Sequence, residues 1–195
     1  MPTIGVFGLP GAGKSTFLAK CARRALAGKT PFAGLPTVKA VYSTFPVKGC
    51  YKLDFDDLGV LDIRDSLIII DEISLLADAR DFKTFDKTLK SFFALHRHYG
   101  CCIIWCSQYA TDCDKRIRNI TDRFYLMEKA PLFLKRWFTV VKPIARFMGV
   151  ADGEIADKYE LAPLPMWSWC FRPRYYRFFD SFECPALKPH TPEFW

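Results

Sequence analysis

The chain has 195 residues, half of them hydrophobic and a quarter charged, an ordinary balance for one soluble globular domain large enough to bury a sizeable core. Nothing after Met1 reads as a basic leader with a cleavage site, and the longest charge-free stretch, residues 99–111, falls short of the ~20 apolar residues that span a membrane. The net charge of +7 points to an anionic partner and is local: between residues 114 and 146, nine Lys or Arg stand against three Asp or Glu, which predicts a basic face.

In chain order, residues 3–7 (TIGVF) predict a buried strand running into glycines. Residues 14–27 follow with an apolar stripe at helical spacing, and Gly28 stands where a helix stop belongs. Residues 40–45 read as a second strand, and 50–55 as a strand or hairpin arm. Residues 66–70 (SLIII) are a β-branched run ending in Asp71 and Glu72. A helix is expected over 83–99, capped by Asp81, with Gly100 at its end. Residues 101–106 form another apolar strand. A short helix over 114–120 and a strand over 123–127 follow. Beyond Pro131 the pattern weakens, with a strand at 136–141, a helix turn at 144–148, and an aromatic and basic late strand within 167–179. Alternating helices and doubly apolar strands predict a three-layer α/β sandwich with a mainly parallel sheet. The expectation is one domain over 1–195, with a core to residue 130 and a basic, aromatic extension from 131.

The first chemical signal is GLPGAGKST, which satisfies G-x-x-x-x-G-K-[ST] between a strand and an amphipathic helix. Glycines let backbone N–H groups turn inward and cradle a phosphate at a helix N-terminus. Gly8, Pro10, Gly11, Ala12, Gly13, Lys14, Ser15 and Thr16 are thus the candidate nucleotide-binding residues, with Lys14 reaching the β- and γ-phosphates and Ser15 ligating Mg²⁺. Asp71, at the end of a buried strand, is the second candidate Mg²⁺ residue. Glu72, one position on, is placed to polarise an attacking water, which favours hydrolysis of ATP over transfer to a small molecule. Gln108 ends the next central strand, at the sheet edge where α/β ligands sit, and can sense the γ-phosphate.

LHRHYGCCIIWCSQ, residues 95–108, invites a zinc reading, but its ligands do not converge. His96 falls on the buried stripe as a core histidine, His98 turns outward, and Cys101 and Cys102 alternate across a strand. All eight cysteines (21, 50, 101, 102, 106, 113, 170, 184) are expected as free thiols, since no Cys-x-x-Cys pair exists. Arg97 has two open readings: a surface cation at a helix C-terminus, or an arginine finger reaching a neighbouring subunit's ATP.

GLPGAGKST, IIIDE, LHRHYG and the apolar strand ending in Ser-Gln together resemble the zonular-occludens-toxin-like (Zot) family of filamentous-phage assembly ATPases, grouped near the FtsK–HerA motors. VYSTFPVKG and DKRIRNITDRFY sit where the family has its second strand and its post-Gln helix and strand, so the likeness covers roughly residues 3 to 128. The resemblance implies an additional-strand P-loop ATPase driving DNA extrusion and virion assembly at the inner membrane, as a homo-oligomeric ring. It assigns Lys14 and Ser15 to Walker A, Asp71 and Glu72 to Walker B, Gln108 to the sensor and Arg97 to the finger, with Arg116 and Arg118 as competing fingers. Family members usually continue into a transmembrane helix and an extracytoplasmic region, neither of which is read here. The expectation is a protein that is cytoplasmic or peripheral to the inner membrane, with a separate membrane partner or from a mobile element other than an inovirus. Arg116, Arg118, Lys135 and Arg136 are the candidate contacts to single-stranded DNA phosphates. The alternatives are a P-loop kinase or switch without DNA, and an ATP-dependent scaffold for a membrane secretion partner.

Overall fold

The computed structural model describes residues 1–32, 34–76, 87–151, 154–163 and 166–179. One nine-stranded sheet organises them, in the order β3-β2-β4-β5-β1-β6-β7-β8, with β9 on β7. The strands are β1 (Thr3–Phe7), β2 (Ala40–Ser43), β3 (Tyr51–Lys52), β4 (Ser66–Ile70), β5 (Cys102–Ser107), β6 (Arg123–Lys129), β7 (Phe138–Ala151), β8 (Glu154–Leu161) and β9 (Ser168–Phe171). From β3 to β6 all pairings are parallel, and from β6 onward they are antiparallel. β5 lies between β1 and β4, which is the additional-strand arrangement.

Alternation along the buried strands divides the core in two. Ile4, Val6, Leu67, Ile69, Cys102, Ile104 and Cys106 face α1 (Lys14–Leu26), against its Phe17, Leu18, Cys21 and Ala22. Ile68, Ile70, Ile103 and Trp105 face the opposite layer, where α3 (Lys87–Leu95) supplies Leu89, Phe92 and Phe93 and α4 (Lys115–Ile120) supplies Ile117. Strands buried on both faces are what a parallel α/β sheet requires, and their β-branched composition fits it. The short α2 (Ile73–Leu76) follows the β4 carboxylates.

Helix α1 stops as its sequence suggests. Gly28 N donates to Ala25 O at 2.9 Å and Lys29 N to Arg24 O at 3.0 Å, the paired bonds of a Schellman end. The same pairing closes the chain before β5, with Gly100 N on Arg97 O and Cys101 N on His96 O. His96 is 2% exposed; its Nδ1 lies 2.6 Å from Phe93 O and its Nε2 3.0 Å from Thr3 Oγ1. Burial lowers its pKa, as expected for a core imidazole. Asp114 caps α4 through a 2.7 Å bond from Arg116 N.

Three expectations change. Residues 144–148 are extended within β7, all paired to β8 and Ile144 also to Phe124 of β6, and form no helix turn. The segment after Cys50 is a two-residue strand parallel to β2, so it is not a hairpin arm. The helix before β5 is described over Lys87–Leu95, with its last turn loosened; residues 83–86 and Asp81 lie outside the described residues.

Candidate nucleotide site

β1 ends at Phe7, and the chain turns through the glycine loop into α1 above the carboxyl ends of β4 and β5. Two glycines are dictated by space. A Cβ on Gly8 would sit 2.6 Å from Met127 O, and one on Gly13 would sit 2.5 Å from Thr139 Oγ1. Gly13 also has φ 98°, which disfavours any side chain. Thr139, on β7, fastens the loop by donating its hydroxyl to Ala12 O at 2.7 Å.

Lys14 is 6% exposed, so its charge is largely desolvated and needs partners. It donates to Gly8 O at 2.8 Å and pairs with Glu72 Oε1 at 3.2 Å. Ser15 Oγ donates to Asp71 Oδ2 at 2.8 Å. The other oxygen of Asp71 accepts the Cys106 thiol at 2.7 Å, and its backbone N–H donates to Thr44 Oγ1 at 3.1 Å. Glu72 has φ 47°, a left-handed conformation that costs a non-glycine residue about 1 kcal/mol or more. Its N–H is held by Cys106 Sγ at 3.4 Å. That kink aims the carboxylate at Lys14.

Asp71, Glu72 and Cys106 offer ligand atoms within 4.8 Å of one another. The thiol is not a soft-metal ligand here. Burial, and then the charge of Asp71, push its pKa well above the ordinary thiol value, so it remains a donor. The oxygens of Ser15 and Asp71 are hard ligands converging beside a buried ammonium and a glycine cradle, and this donor set fits Mg²⁺ with a nucleotide polyphosphate.

A cavity of about 800 Å³ opens over this constellation. Pro10, Gly11, Gly13, Lys14, Ser15, Thr16, Glu72 and Gln108 line it, so the structure gathers both candidate motifs and the strand-end Gln around one space. Arg172, Tyr176 and Phe179 complete the wall. Sequence reasoning missed these three, and also the support of Asp71 by Cys106 and Thr44. The aromatic and basic run in residues 167–179 was their only local trace.

Arg97 lies elsewhere. Its guanidinium pairs with Asp122, whose other carboxylate oxygen accepts Thr3 N at 2.8 Å. That is the edge where β1 begins, opposite its own phosphate loop, so Arg97 takes no part in its own chain's cavity. Arg116 is drawn back onto Asp114, with Nη2 2.6 Å from Oδ2. Arg118 is tied through its carbonyl to Arg146 Nη1 at 3.0 Å. Lys135 and Arg136 are exposed in the 3-10 turn Leu132–Arg136, beyond the other end of β6. The basic stretch is thereby split between two ends of a seven-residue strand, roughly 20 Å apart.

Seven described cysteines are unpaired. Among the described residues, no helix is long and apolar enough to cross a membrane.

Among curated proteins, none matches the chain significantly. Among solved structures, the fold is similar to the N-terminal domain of zonular occludens toxin from Neisseria meningitidis, with TM-score 0.56 at 13% identity over 92% of this chain and 98% of that one. It is also similar to the genome packaging NTPase B204 of Sulfolobus turreted icosahedral virus 2 in complex with AMP (TM-score 0.47, 10% identity, 73% of this chain and 91% of that one). A further similar structure is the flagellar accessory protein FlaH of Methanocaldococcus jannaschii, with TM-score 0.46 and 14% identity over 80% of this chain and 89% of that one. The profile of the Zonular occludens toxin (Zot) family matches residues 51–151, a span holding Asp71, Glu72, Arg97 and Gln108, and the chain, a P-loop NTPase fold, belongs to that family.

Proposed function

We propose that this protein binds ATP with Mg²⁺ over the glycine loop and hydrolyses it, and that turnover powers DNA extrusion and virion assembly for a phage or related mobile element at a membrane. The observation that carries the reading is the meeting of Lys14 with Glu72 and of Ser15 with Asp71 in a cavity that Gln108 also lines. Membership of the Zot family supports the assembly role.

In this reading the loop amides and Lys14 hold the β- and γ-phosphates. Ser15 and Asp71 would hold Mg²⁺, which would neutralise charge on the phosphate oxygens. Glu72 accepts a proton from water as the water oxygen bonds to the γ-phosphorus. The bond from that phosphorus to the β–γ bridging oxygen breaks, leaving ADP and phosphate. Gln108 orients the water through its amide. Arg97, remote from its own cavity, serves a neighbouring subunit in a ring. Lys135 and Arg136 at one edge, with Arg116 and Arg118 at the other, contact DNA phosphates in a salt-dependent way.

The test is the steady-state ATPase rate with and without single-stranded DNA, alongside mass measurement with nucleotide. DNA-stimulated turnover by an oligomer supports the reading. Turnover indifferent to DNA favours a kinase, switch or scaffold, and no turnover at all removes the hydrolytic part.

A further inference from the structure

We propose that Arg172 is a second phosphate-binding cation of the nucleotide site, brought over the glycine loop within its own chain by a strap formed of residues 168–179. The inference rests on the nucleotide-site reading above and adds to it a residue outside the Walker motifs.

The strap is pinned at three places. β9 pairs with β7 so that Cys170 lies opposite Thr139, the residue that fastens the glycine loop. Arg172 N then donates to Trp137 O at 2.8 Å, fixing the turn that follows. Further on, the Arg23 guanidinium of α1 stacks 4.3 Å over the Phe178 ring, and Lys48 N donates to Phe178 O at 2.9 Å. Val47 and Phe179 form an isolated bridge. Between the first anchor and the last, the chain crosses the mouth of the cavity.

The position of Arg172 in that strap has no internal electrostatic explanation. Its Nε donates to the Tyr176 hydroxyl at 3.1 Å, and its Nη1 reaches Gly11 O only at 3.5 Å. Its Cδ lies 3.5 Å from where a Gly13 Cβ would stand, so the side chain lies directly on the loop. Among the described residues, Lys14, Arg97 and Arg116 each pair with a carboxylate, and Arg172 pairs with none. A guanidinium has been placed at the positive end of α1, near a buried ammonium, with Glu72 as the nearest-built counter-charge to that ammonium alone. Glu72 already neutralises that ammonium, whereas the guanidinium on the loop still lacks an anion. A polyphosphate supplies the missing charge, and the guanidinium fork matches phosphate oxygens in a way that lysine does not. Tyr176 orients the fork from behind.

The experiment measures equilibrium binding of Mg-ATP, and displacement of a fluorescent ATP analogue by inorganic tripolyphosphate, for the full chain and five variants. Arg172→Ala should weaken both ATP and tripolyphosphate about tenfold or more. Arg172→Lys should fall between it and the parent. Arg174→Ala, an equal loss of charge two residues away, should leave both within twofold. Melting without nucleotide should be the same for all. Should Arg172→Ala melt early, Tyr176→Phe decides: it keeps the strap and should still weaken tripolyphosphate severalfold. Unchanged tripolyphosphate binding in Arg172→Ala, or in Tyr176→Phe where that variant decides, overturns the proposal. Failure of the parent chain to bind ATP any better than Lys14→Ala does overturns the nucleotide-site reading itself, a distinct outcome.

Discussion

Lys14 and Glu72 face each other with 3.2 Å between Nζ and Oε1, the lysine side chain 7% and the glutamate 29% exposed. One carboxylate therefore has two tasks: it neutralises the loop lysine before nucleotide arrives, and it is the proposed base afterwards. The phosphates must compete with Glu72 for the ammonium, and they meet its negative charge as they enter.

Glu72→Gln should accordingly separate binding from turnover. It removes the competitor and the repulsion while preserving shape, so ATP affinity should rise severalfold. Turnover should fall by about a hundredfold or more, the usual cost of losing a general base. Isothermal titration and a phosphate-release assay read the two effects. Affinity that drops on this substitution would mean that Lys14 depends on Glu72 for its position, and retained turnover would remove Glu72 as the base.

Cys106 offers a second test, because it looked like a core thiol and proves to be a hydrogen-bond donor to Asp71 at 2.7 Å. Cys106→Ala should leave that oxygen of Asp71 without its donor and loosen the carboxylate. The Mg²⁺ concentration needed for half-maximal activity should rise severalfold. Cys106→Ser, which retains a donor, should stay near the parent. Identical Mg²⁺ titrations for the two variants would show that the thiol does not position Asp71.

Why some of this was legible and some was not follows from the range of the interactions. β1 and β4 begin and end where their apolar, β-branched runs do, at Thr3–Phe7 and Ser66–Ile70, because central parallel strands are buried on both faces. The glycine loop was legible because its chemistry is contiguous. Residues 144–148 suggest a helix turn in the sequence because a short apolar run satisfies either period, and only the long-range pairing with β8 decides between them. Arg172 was illegible for a related reason. Its place over Gly11, 161 residues away in sequence, is set by the β7–β9 pairing, and no local pattern announces it.

Asp114 caps α4 and holds Arg116, and the side-chain hydrogen bond from Arg116 keeps its carboxyl below the usual range. A carboxyl depressed in the folded state stabilises the fold at pH values above its unfolded pKa of about 3.9, and that stabilisation disappears as pH falls through the folded value. Asp114→Asn should therefore cost stability at neutral pH, on the order of 1 kcal/mol or less since asparagine also caps. The gap to the parent should be flat above about pH 5 and close below about pH 4. Urea midpoints for both proteins across this range provide the check. A gap that persists undiminished in acid would assign the effect to packing and not to charge.

Arg97 and Asp122 form a pair whose side chains are 55% and 28% exposed, at the edge of the sheet away from their own cavity. Solvent screening limits such a pair to about 1 kcal/mol or less, so Arg97→Ala should barely shift the urea midpoint. A large loss of ATPase activity in that variant then cannot come from unfolding, nor from a contact within its own cavity, which lies at the opposite edge. The remaining route is a neighbouring subunit. Arg97→Ala retains an intact cavity and lacks the finger, whereas Lys14→Ala retains the finger and lacks the cavity. Each alone should be nearly inactive, and mixing them should restore part of the rate, since some interfaces then join an intact cavity to an intact arginine. A mixture no more active than the sum of its components would exclude Arg97 as a finger acting between subunits, and leave its bond to Asp122 as its whole role.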